Sequence, residues 1–226
     1  FSSSYGEGAG KLLQEFKANT YQAIEEGISL NPVLNAFQAT VNQYEIEREL
    51  IEAFLYSMEM DLSQKVFDQE SFEKYILGSA EVVGLMCLRV FCQGNEEQYQ
   101  HLKPSAMKLG AAFQKINFLR DLKQDFSDMG RSYFPNVDLA SFSDSCKKNI
   151  EADIEQDFKD AYIGIKQLPK NSRLGVYTAY VYYYALFKKI QSTTPSTILA
   201  KRIRIPNNKK YGLLLSSYIK HSFNIL

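Results

Sequence analysis

The stretch Gly110–Pro135, GAAFQKINFLRDLKQDFSDMGRSYFP, decides the expected fold, because one helical face within it changes from apolar to acidic. At about 100° per residue, the face of Gly110 and Phe113 continues into a row of polar side chains. That row consists of Asn117, Asp121, Asp125 and Asp128. The pattern predicts a long helix along an apolar groove, with a polar mouth at one end.

Asp121 and Asp125 stand four residues apart. On a helix their Cβ atoms would lie about 5–6 Å apart, so the two carboxylates repel unless a cation sits between them. Mg²⁺ is the expected cation, with Mn²⁺ as the alternative, because Mg²⁺ binds through one or two carboxylates and completes its octahedron with water and phosphate oxygens. An apolar tail with a diphosphate head would match this face. A solvated acidic face without metal is the competing interpretation.

The rest of the sequence predicts an all-α bundle. Only 12 Gly and 6 Pro occur among 226 residues, and apolar residues recur at helical spacing. One domain over residues 1–226 is expected, since no interdomain linker or repeat is visible. Pro104 is expected in the first turn of the central helix and Gly130 at its end. The predicted helices span residues 10–28, 32–43, 47–63, 69–93, 104–128, 143–167, 173–191 and 206–222.

The charge balance and the cysteine content indicate which partners and which compartment to expect. The 26 basic and 26 acidic residues balance, which predicts no net field that recruits nucleic acid or an anionic membrane. No apolar run is expected to reach the length of a membrane span. Three cysteines, an odd number, indicate a reducing, cytoplasmic setting rather than a disulfide scaffold. Cys87 and Cys92 are expected in the core.

Nine spaced residues resemble the second aspartate-rich motif of the phytoene synthase and squalene synthase family, whose pattern is Q-x-x-N-x-x-R-D-x-x-x-D followed by G-R-x-Y-x-P. The matching positions are Gln114, Asn117, Arg120, Asp121, Asp125, Gly130, Arg131, Tyr133 and Pro135. FLYSMEMDL at 54–62 and YILGSAEVVGLM at 75–86 also fall where the family would place them. The likeness covers most of the chain and is greatest to bacterial phytoene synthases. It implies an isoprenoid-synthase-like helical bundle around a central cavity.

The resemblance also implies roles for individual residues. The metal ligands would be Asn117, Asp121 and Asp125, and the catalytic residues would be Arg120 and Tyr75. The diphosphate would be bound by Arg131, Tyr183 and Arg202. The prenyl groove would be lined by Ala80, Val83, Gly84, Phe113 and Gln114. For Tyr75 an ordinary core aromatic is the alternative, and for the small residues of 78–84 plain helix packing is the alternative.

Two departures from the family pattern stand out. No D-x-x-x-D motif precedes Asp121, although family members carry a first aspartate-rich motif on an earlier helix, and the chain opens at Phe1. We therefore expect a chain that lacks its N-terminal helices, with natural loss of the motif as the alternative, and weak or no activity in the chain as given. Glu81 stands where the family has a small residue. A carboxylate facing an apolar tunnel would be costly unless paired, so Glu81 is expected to point to solvent, with a special use of it as the alternative.

The activity implied by the resemblance is head-to-head condensation of two prenyl diphosphates, from geranylgeranyl diphosphate to phytoene through a cyclopropylcarbinyl diphosphate, in carotenoid biosynthesis. Two alternatives stay open: a squalene or dehydrosqualene synthase that uses farnesyl diphosphate, and a non-catalytic scaffold or assembly protein of the same fold. Substrates this apolar reside in or near bilayers, so peripheral association with the inner membrane is expected. The sequence predicts no nucleic-acid partner and does not set the oligomeric state.

Overall fold

A computed structural model describes residues 8–135, 137, 142–223 and 225; the side chains of 126–129, among them the predicted Asp128, lie outside this description. Within these ranges the chain is helical and has no β-strand, which confirms the all-α prediction. The α-helices are α1 (Gly8–Glu26), α2 (Pro32–Tyr44), α3 (Arg48–Ser63), α4 (Gln69–Ile76), α5 (Val82–Cys92), α6 (Glu96–Met129), α7 (Asp144–Ile165), α8 (Lys170–Gln191), α9 (Pro195–Ala200) and α10 (Asn207–Ser222).

The predicted helix 104–128 is too short, because α6 begins at Glu96. Asn95 initiates it: the Asn95 Oδ1 accepts a hydrogen bond from the Gln98 N–H at 2.9 Å, the usual role of asparagine before a helix. Pro104 therefore lies inside the helix, and the prediction that it occupies the first turn is wrong. Gly130 follows the helix in the left-handed conformation at φ 63°, as predicted. The short α9 is absent from the prediction.

A π-helical turn, Leu77–Glu81, joins α4 to α5 in one continuous helical segment. This segment, Gln69–Cys92, is 24 residues long, and its mean hydropathy reaches 1.6 over an 18-residue window. By length and composition it could cross a membrane, so the expectation that no apolar run reaches that length is wrong. The segment packs against α3 and α6, and 39% of the window is buried. Core helices of globular bundles have the same composition.

The main hydrophobic core lies on one side of α6, the central helix of the bundle. Ile116 and Leu119 of α6 join Phe158 of α7 and Leu186 and Phe187 of α8 in this core, and all five are essentially buried. Because apolar residues at this spacing occupy one sector of the helix, the sector that carries the polar row faces another direction. That direction is a groove bordered by α5 and α8.

Two glycines let the π-helical turn lie unusually close to its neighbours. A Cβ atom on Gly78 would stand 2.3 Å from the backbone oxygen of Ala53 in α3. A Cβ atom on Gly110 of α6 would stand 2.6 Å from the backbone oxygen of Ala80. Since both obstacles are backbone atoms, no side-chain movement could make room. The packing alternative for the small residues is therefore correct at Gly78.

Candidate functional site

A groove of about 380 Å³ runs along α6 between α5, α7 and α8. It is lined mainly by small and apolar side chains. The five residues predicted to line a prenyl groove all border it: Ala80, Val83, Gly84, Phe113 and Gln114. The fold thus brings together residues of two helices that are 30 positions apart in the chain. That they bind a prenyl chain stays a prediction.

The π-helical turn sets which side chains reach the groove. Ala80 borders the groove, whereas Glu81 lies on the far side of the turn, next to Lys108 and Lys115. Burial raises the pKa of the Glu81 carboxyl, and the charge of Lys108 opposes that shift. Extra residues of this kind in a helix rotate the side chains that follow. Glu81 thus lies outside the groove, but it is half-buried and does not point to solvent as expected; any special use of it stays unassigned.

A second hydrophobic cluster closes the end of the groove that lies away from the polar row. Leu88, Leu102 and Leu168 are buried in this cluster and border the groove, with Phe91 and Val176 packed against them. Along α6 the lining extends from Leu102 to Asn117, which is about 22 Å at 1.5 Å per residue.

The polar mouth begins where Phe113 and Tyr183 stack, with ring centroids 4.0 Å apart and planes 17° from parallel. The Tyr183 hydroxyl donates to the Asn117 Oδ1 at 3.3 Å. Of the tyrosine-rich run 176–187, Tyr183 borders the groove, whereas Tyr180 and Tyr184 pack edge-on against Phe158 in the core. Tyr183 therefore lies next to a predicted metal ligand, a position that is consistent with its predicted contact with the diphosphate.

Two arginines hold the Asp121 carboxylate. Arg120 binds it with Nε at 3.0 Å and also with Nη2, and Arg202 binds it with Nε at 2.7 Å. Arg202 is 81 residues further along the chain, in the segment between α9 and α10. Both arginines assigned to the mouth therefore reach it. The guanidinium groups of Arg120 and Arg202 therefore neutralise the Asp121 carboxylate in this structure.

Asp125 lies one turn beyond Asp121 and is only partly exposed. Burial, followed by the charge of Asp121, raises the pKa of the Asp125 carboxyl to about 6. A divalent cation would relieve both effects, so the donor set of two carboxylates and the Asn117 amide oxygen fits a hard ion. In the described part of the chain no three His, Cys, Asp or Glu side chains converge. Water and phosphate oxygens would complete the shell, as Mg²⁺ accepts.

We expect the metal-free Asp125→Asn protein to be more stable than the wild type at pH 8 and nearly equal at pH 4. Folding raises the pKa of the Asp125 carboxyl from 3.8 to about 6. The free energy of unfolding of the wild type therefore decreases as the pH rises from 3.8 to about 6, whereas that of the variant does not decrease for this reason. Partial exposure reduces the difference to about 1–2 kcal/mol. Urea unfolding in EDTA measures it. Equal stability at pH 8 would contradict the burial of this charge.

Asp61, at the end of α3, is a site residue that sequence reasoning missed. Its Oδ1 accepts hydrogen bonds from the Tyr75 phenol at 3.0 Å and from the Arg131 Nη1 at 3.2 Å. Burial raises the pKa of Asp61, while the Arg131 charge opposes that shift. Burial also raises the pKa of the Tyr75 phenol. In the sequence, the segment FLYSMEMDL at 54–62 contains Asp61, but it does not show which side chains Asp61 contacts.

Arg131 is engaged in this network rather than at the groove. It also binds the Asp61 backbone oxygen and the Tyr133 hydroxyl. A parallel β-bridge fixes this arrangement, because the Ser132 N–H donates to the Lys65 oxygen at 2.9 Å. Diphosphate binding by Arg131 therefore stays a prediction.

Only one of the two cysteines predicted in the core is buried. Cys92 is buried as expected, whereas Cys87 is exposed and borders the groove. The prediction for Cys87 is wrong because the sector of α5 that carries it faces the groove and not the neighbouring helices. Cys87, Cys92 and Cys146 all carry free thiols.

The chain is 30% identical over 105 residues to a bifunctional lycopene cyclase/phytoene synthase of Blakeslea trispora, covering 45% of this chain and 17% of the relative. It is 25% identical over 205 residues to a 15-cis-phytoene synthase of Synechocystis sp., covering 80% of this chain and 60% of the relative. The chain thus spans less than two thirds of these relatives.

The crystal structure of a dehydrosqualene synthase in complex with ligand shares the fold. Its TM-score is 0.75 at 18% sequence identity, with 96% of this chain and 81% of that chain covered. The sequence profile of the squalene/phytoene synthase family matches residues 3–209. This match includes the whole groove, the acidic mouth and the Asp61 network. The chain therefore belongs to the squalene/phytoene synthase family.

Proposed function

We propose that this chain carries the substrate groove and one side of the metal site of an enzyme that condenses two molecules of geranylgeranyl diphosphate head to head into phytoene, in carotenoid biosynthesis. The observation that carries the proposal is the apolar groove that reaches Asn117, with Asp121 and Asp125 on the next two turns of the same helix. Membership of the family supports this reaction class. No D-x-x-x-D motif precedes Asp121, so the chain as given is expected to be weakly active or inactive.

In the proposed reaction, the C–O bond of one substrate breaks to give an allylic cation and pyrophosphate. The double bond of the second substrate attacks this cation, and loss of a proton leaves a cyclopropylcarbinyl diphosphate. A second ionisation, a rearrangement and loss of another proton give the linear product. A bound Mg²⁺ would neutralise charge on the leaving diphosphate.

The residues of this chain would bind, orient and exclude water. Arg202 and Arg120 present planar guanidinium groups, which suit phosphate oxygens because they bind them in a bidentate way. Phe113 and Tyr183 present stacked rings at the mouth, where a carbocation gains from aromatic faces. The apolar lining keeps water from the cation. The phenol of Tyr75, held by Asp61, is proposed to assist proton handling.

The length of the groove favours a chain of 20 carbons over one of 15. An extended prenyl chain measures about 5 Å per five-carbon unit from ordinary bond lengths. Four units then need about 20 Å and three units about 15 Å, against about 22 Å of lining between Leu102 and Asn117. A farnesyl chain would leave the far end of the groove empty, which costs contact energy.

We expect Ala106→Phe to shift the preference of the full-length protein from geranylgeranyl to farnesyl diphosphate. Ala106 borders the groove, about 16 Å along α6 from Asn117, so a phenyl ring there would leave room for three units only. With Mg²⁺, phytoene formation should fall at least about tenfold while farnesyl diphosphate is still consumed. Chromatography of the products from each substrate measures this.

The outcomes of this experiment test the reaction, the length of the substrate and the role of Ala106 separately. An unmodified full-length protein that releases no pyrophosphate from either substrate in the presence of Mg²⁺ would overturn the proposed function. A wild-type protein that prefers farnesyl diphosphate would overturn the chain length and keep the reaction class. Equal losses with both substrates in Ala106→Phe would show that Ala106 does not limit chain length.

A further inference from the structure

The side of α6 opposite the groove carries an ion cluster. At about 100° per residue, Lys108 and Lys115 share one sector of α6. Ala106 and Gly110, which border the groove, lie in the opposite sector. Asp157 of α7 meets both lysines, since its Oδ1 accepts from the Lys108 Nζ at 3.0 Å and its Oδ2 from the Lys115 Nζ at 2.6 Å. Asp157 and Lys115 are buried, and Lys108 closes the cluster toward solvent. We call these three residues the ion cluster.

Asp157 stands on the face of α7 that also forms a wall of the groove. Ala161 and Gly164, which border the groove, follow Asp157 by four and seven residues, so all three positions share one face. Beside the groove this face lies very close to α6, because a Cβ atom on Gly164 would stand 2.4 Å from the Ser105 Cβ. The Ser105 Oγ donates to the Asp160 backbone oxygen at 2.9 Å. A shift of α7 along α6 would therefore move this wall.

The ion cluster fits one register of α7 against α6. Lys108 and Lys115 are seven residues apart, about 10.5 Å along the helix axis, yet they reach the two oxygens of one carboxylate. If α7 slid by one helical turn, about 5.4 Å, Asp157 would lose at least one lysine. A buried charge without its partner is costly, because it has already lost its hydration. The apolar contacts between the two helices are less selective, since aliphatic side chains accept several neighbours.

The π-helical turn, which forms another wall of the groove, faces the same lysines. Its Glu81 borders a cavity together with Lys108 and Lys115. The Glu81 Cα would stand 3.1 Å from a Cβ atom on Gly110, so the turn lies directly on α6. Burial raises the pKa of the Glu81 carboxyl, and the charge of Lys108 opposes that rise. The lysines of α6 thus act on carboxylates of two groove walls, one on α7 and one on the turn that carries Ala80.

Stability alone does not account for the ion cluster. Desolvation of buried charges offsets most of their mutual attraction, and apolar side chains of similar volume are often as stable or more stable in such places. Charges add selectivity, because a misplaced buried charge costs far more free energy than a misplaced methyl group. The ion cluster is therefore suited to fixing the geometry of the helices that it joins.

We propose that Asp157, Lys108 and Lys115 are positioning residues, which fix the register of α7 against α6 and thereby the shape of the groove beside Ala161 and Gly164. In the described part of the chain none of the three borders the groove, so they would act through the helices and not by touching a ligand. The proposal rests on the proposed function for the identity of that ligand, the apolar chain of a prenyl diphosphate. A lost register would weaken the fit of this chain and leave the mouth, which α6 itself carries, in place.

The main test is an apolar replacement of the ion cluster, Lys108→Met with Lys115→Met and Asp157→Leu. We expect a melting temperature within about 4 °C of the wild type or above it. In the full-length protein with Mg²⁺, the KM for geranylgeranyl diphosphate should rise at least about tenfold, as expected of a misplaced binding wall. The kcat should stay within about threefold, since the reacting end of the substrate is held elsewhere. A steady-state pyrophosphate assay gives both constants.

Single variants separate the charge from the size of the side chain. Lys108→Met leaves the pair of Lys115 and Asp157 intact, so it should fold and raise the KM by a smaller factor. Lys108→Arg keeps the charge and should retain the wild-type KM. The matched control is Lys159→Met at an exposed position of α7, which should leave KM and kcat unchanged.

A second measurement needs neither a substrate nor a metal ion. Cys87 is exposed and borders the groove, so a maleimide whose alkyl chain enters the groove should label it faster than a small maleimide does. The labelling rate with N-octylmaleimide, relative to that with N-ethylmaleimide, should fall at least about fivefold in the apolar variant. Peptide mass mapping assigns the label to Cys87 rather than to Cys92 or Cys146.

The outcomes distinguish this proposal from the proposed function. A wild type that releases no pyrophosphate, together with a labelling ratio that falls in the apolar variant, would overturn the proposed function and keep the positioning role. An apolar variant with the wild-type KM and labelling ratio would overturn the positioning role. A rise in KM as large in Lys159→Met would also contradict it. If the apolar variant does not fold by circular dichroism, Lys108→Met decides between the same two results.

Discussion

Asp121→Ala should abolish the Mg²⁺-dependent release of pyrophosphate from geranylgeranyl diphosphate by the full-length protein. The substitution removes one of two carboxylates at the mouth and leaves the guanidinium groups of Arg120 and Arg202 without their shared partner. Metal ions contribute several kcal/mol to such ionisations, so we expect a loss of at least about 10³-fold. A coupled pyrophosphate assay measures it.

Glu97→Ala is the matched control for this prediction. Glu97 lies on the same helix, α6, and is exposed far from the mouth, so its removal should leave the rate within about twofold, as expected of a surface change. Calorimetric titration with Mn²⁺ separates the cause, because a lost ligand weakens ion binding whereas a folding defect also lowers the melting temperature. If Asp121→Ala retains activity within tenfold of wild type, Asp121 is not a metal ligand.

Among the Gly→Ala substitutions of the described residues, Gly78→Ala should destabilise the fold most. The new Cβ atom would stand 2.3 Å from the Ala53 backbone oxygen and 2.8 Å from the Ser57 Cβ. Helix α3 or the π-helical turn must move to relieve the overlap, which costs about 3 kcal/mol in a packed core. Because the same turn carries Ala80 into the groove, the variant should also lose substrate binding. Urea unfolding gives the stability difference.

Gly175→Ala adds the same methyl group but should stabilise the fold. Gly175 lies inside α8, and no atom stands within 4 Å of its added Cβ. Alanine there lowers the entropy of the unfolded chain without a clash, so we expect a gain of about 0.5–1 kcal/mol. Equal effects of the two substitutions would mean that α3 and the π-helical turn are not in close contact.

The fold class and the groove could be predicted because they depend on local periodicity. The spacing of Phe113, Asn117 and Asp121 on one helix fixes their common face whatever the helix packs against. The start of α6 could not be placed, since Pro104 is a strong first-turn signal and the competing cap, Asn95, looks like any loop asparagine. The resemblance to the family supplied the groove residues of α5, whose apolar composition alone cannot distinguish core from cavity.

The missed features share a different cause, since each depends on partners far apart in the chain. Asp61 meets Arg131 across 70 residues, and Asp121 meets Arg202 across 81. The sequence shows each charge but not its partner, because any of the 26 basic residues could neutralise a given carboxylate. The direction of Glu81 is a separate, local case, because it depends on one extra residue per turn, which helical periodicity does not include.

The guanidinium of Arg202 links the entrance of the groove to the far end of the chain. It contacts Asp121 from a position five residues before Asn207, where α10 begins. A divalent ion bound by Asp121 would compete with this guanidinium for the carboxylate oxygens and so weaken its hold on the segment that leads into α10. Because thermodynamic coupling is reciprocal, any change that fixes or displaces this segment would change the affinity for the ion by the same factor. Substitutions in residues 203–206 would then alter ion binding at a carboxylate that they do not touch.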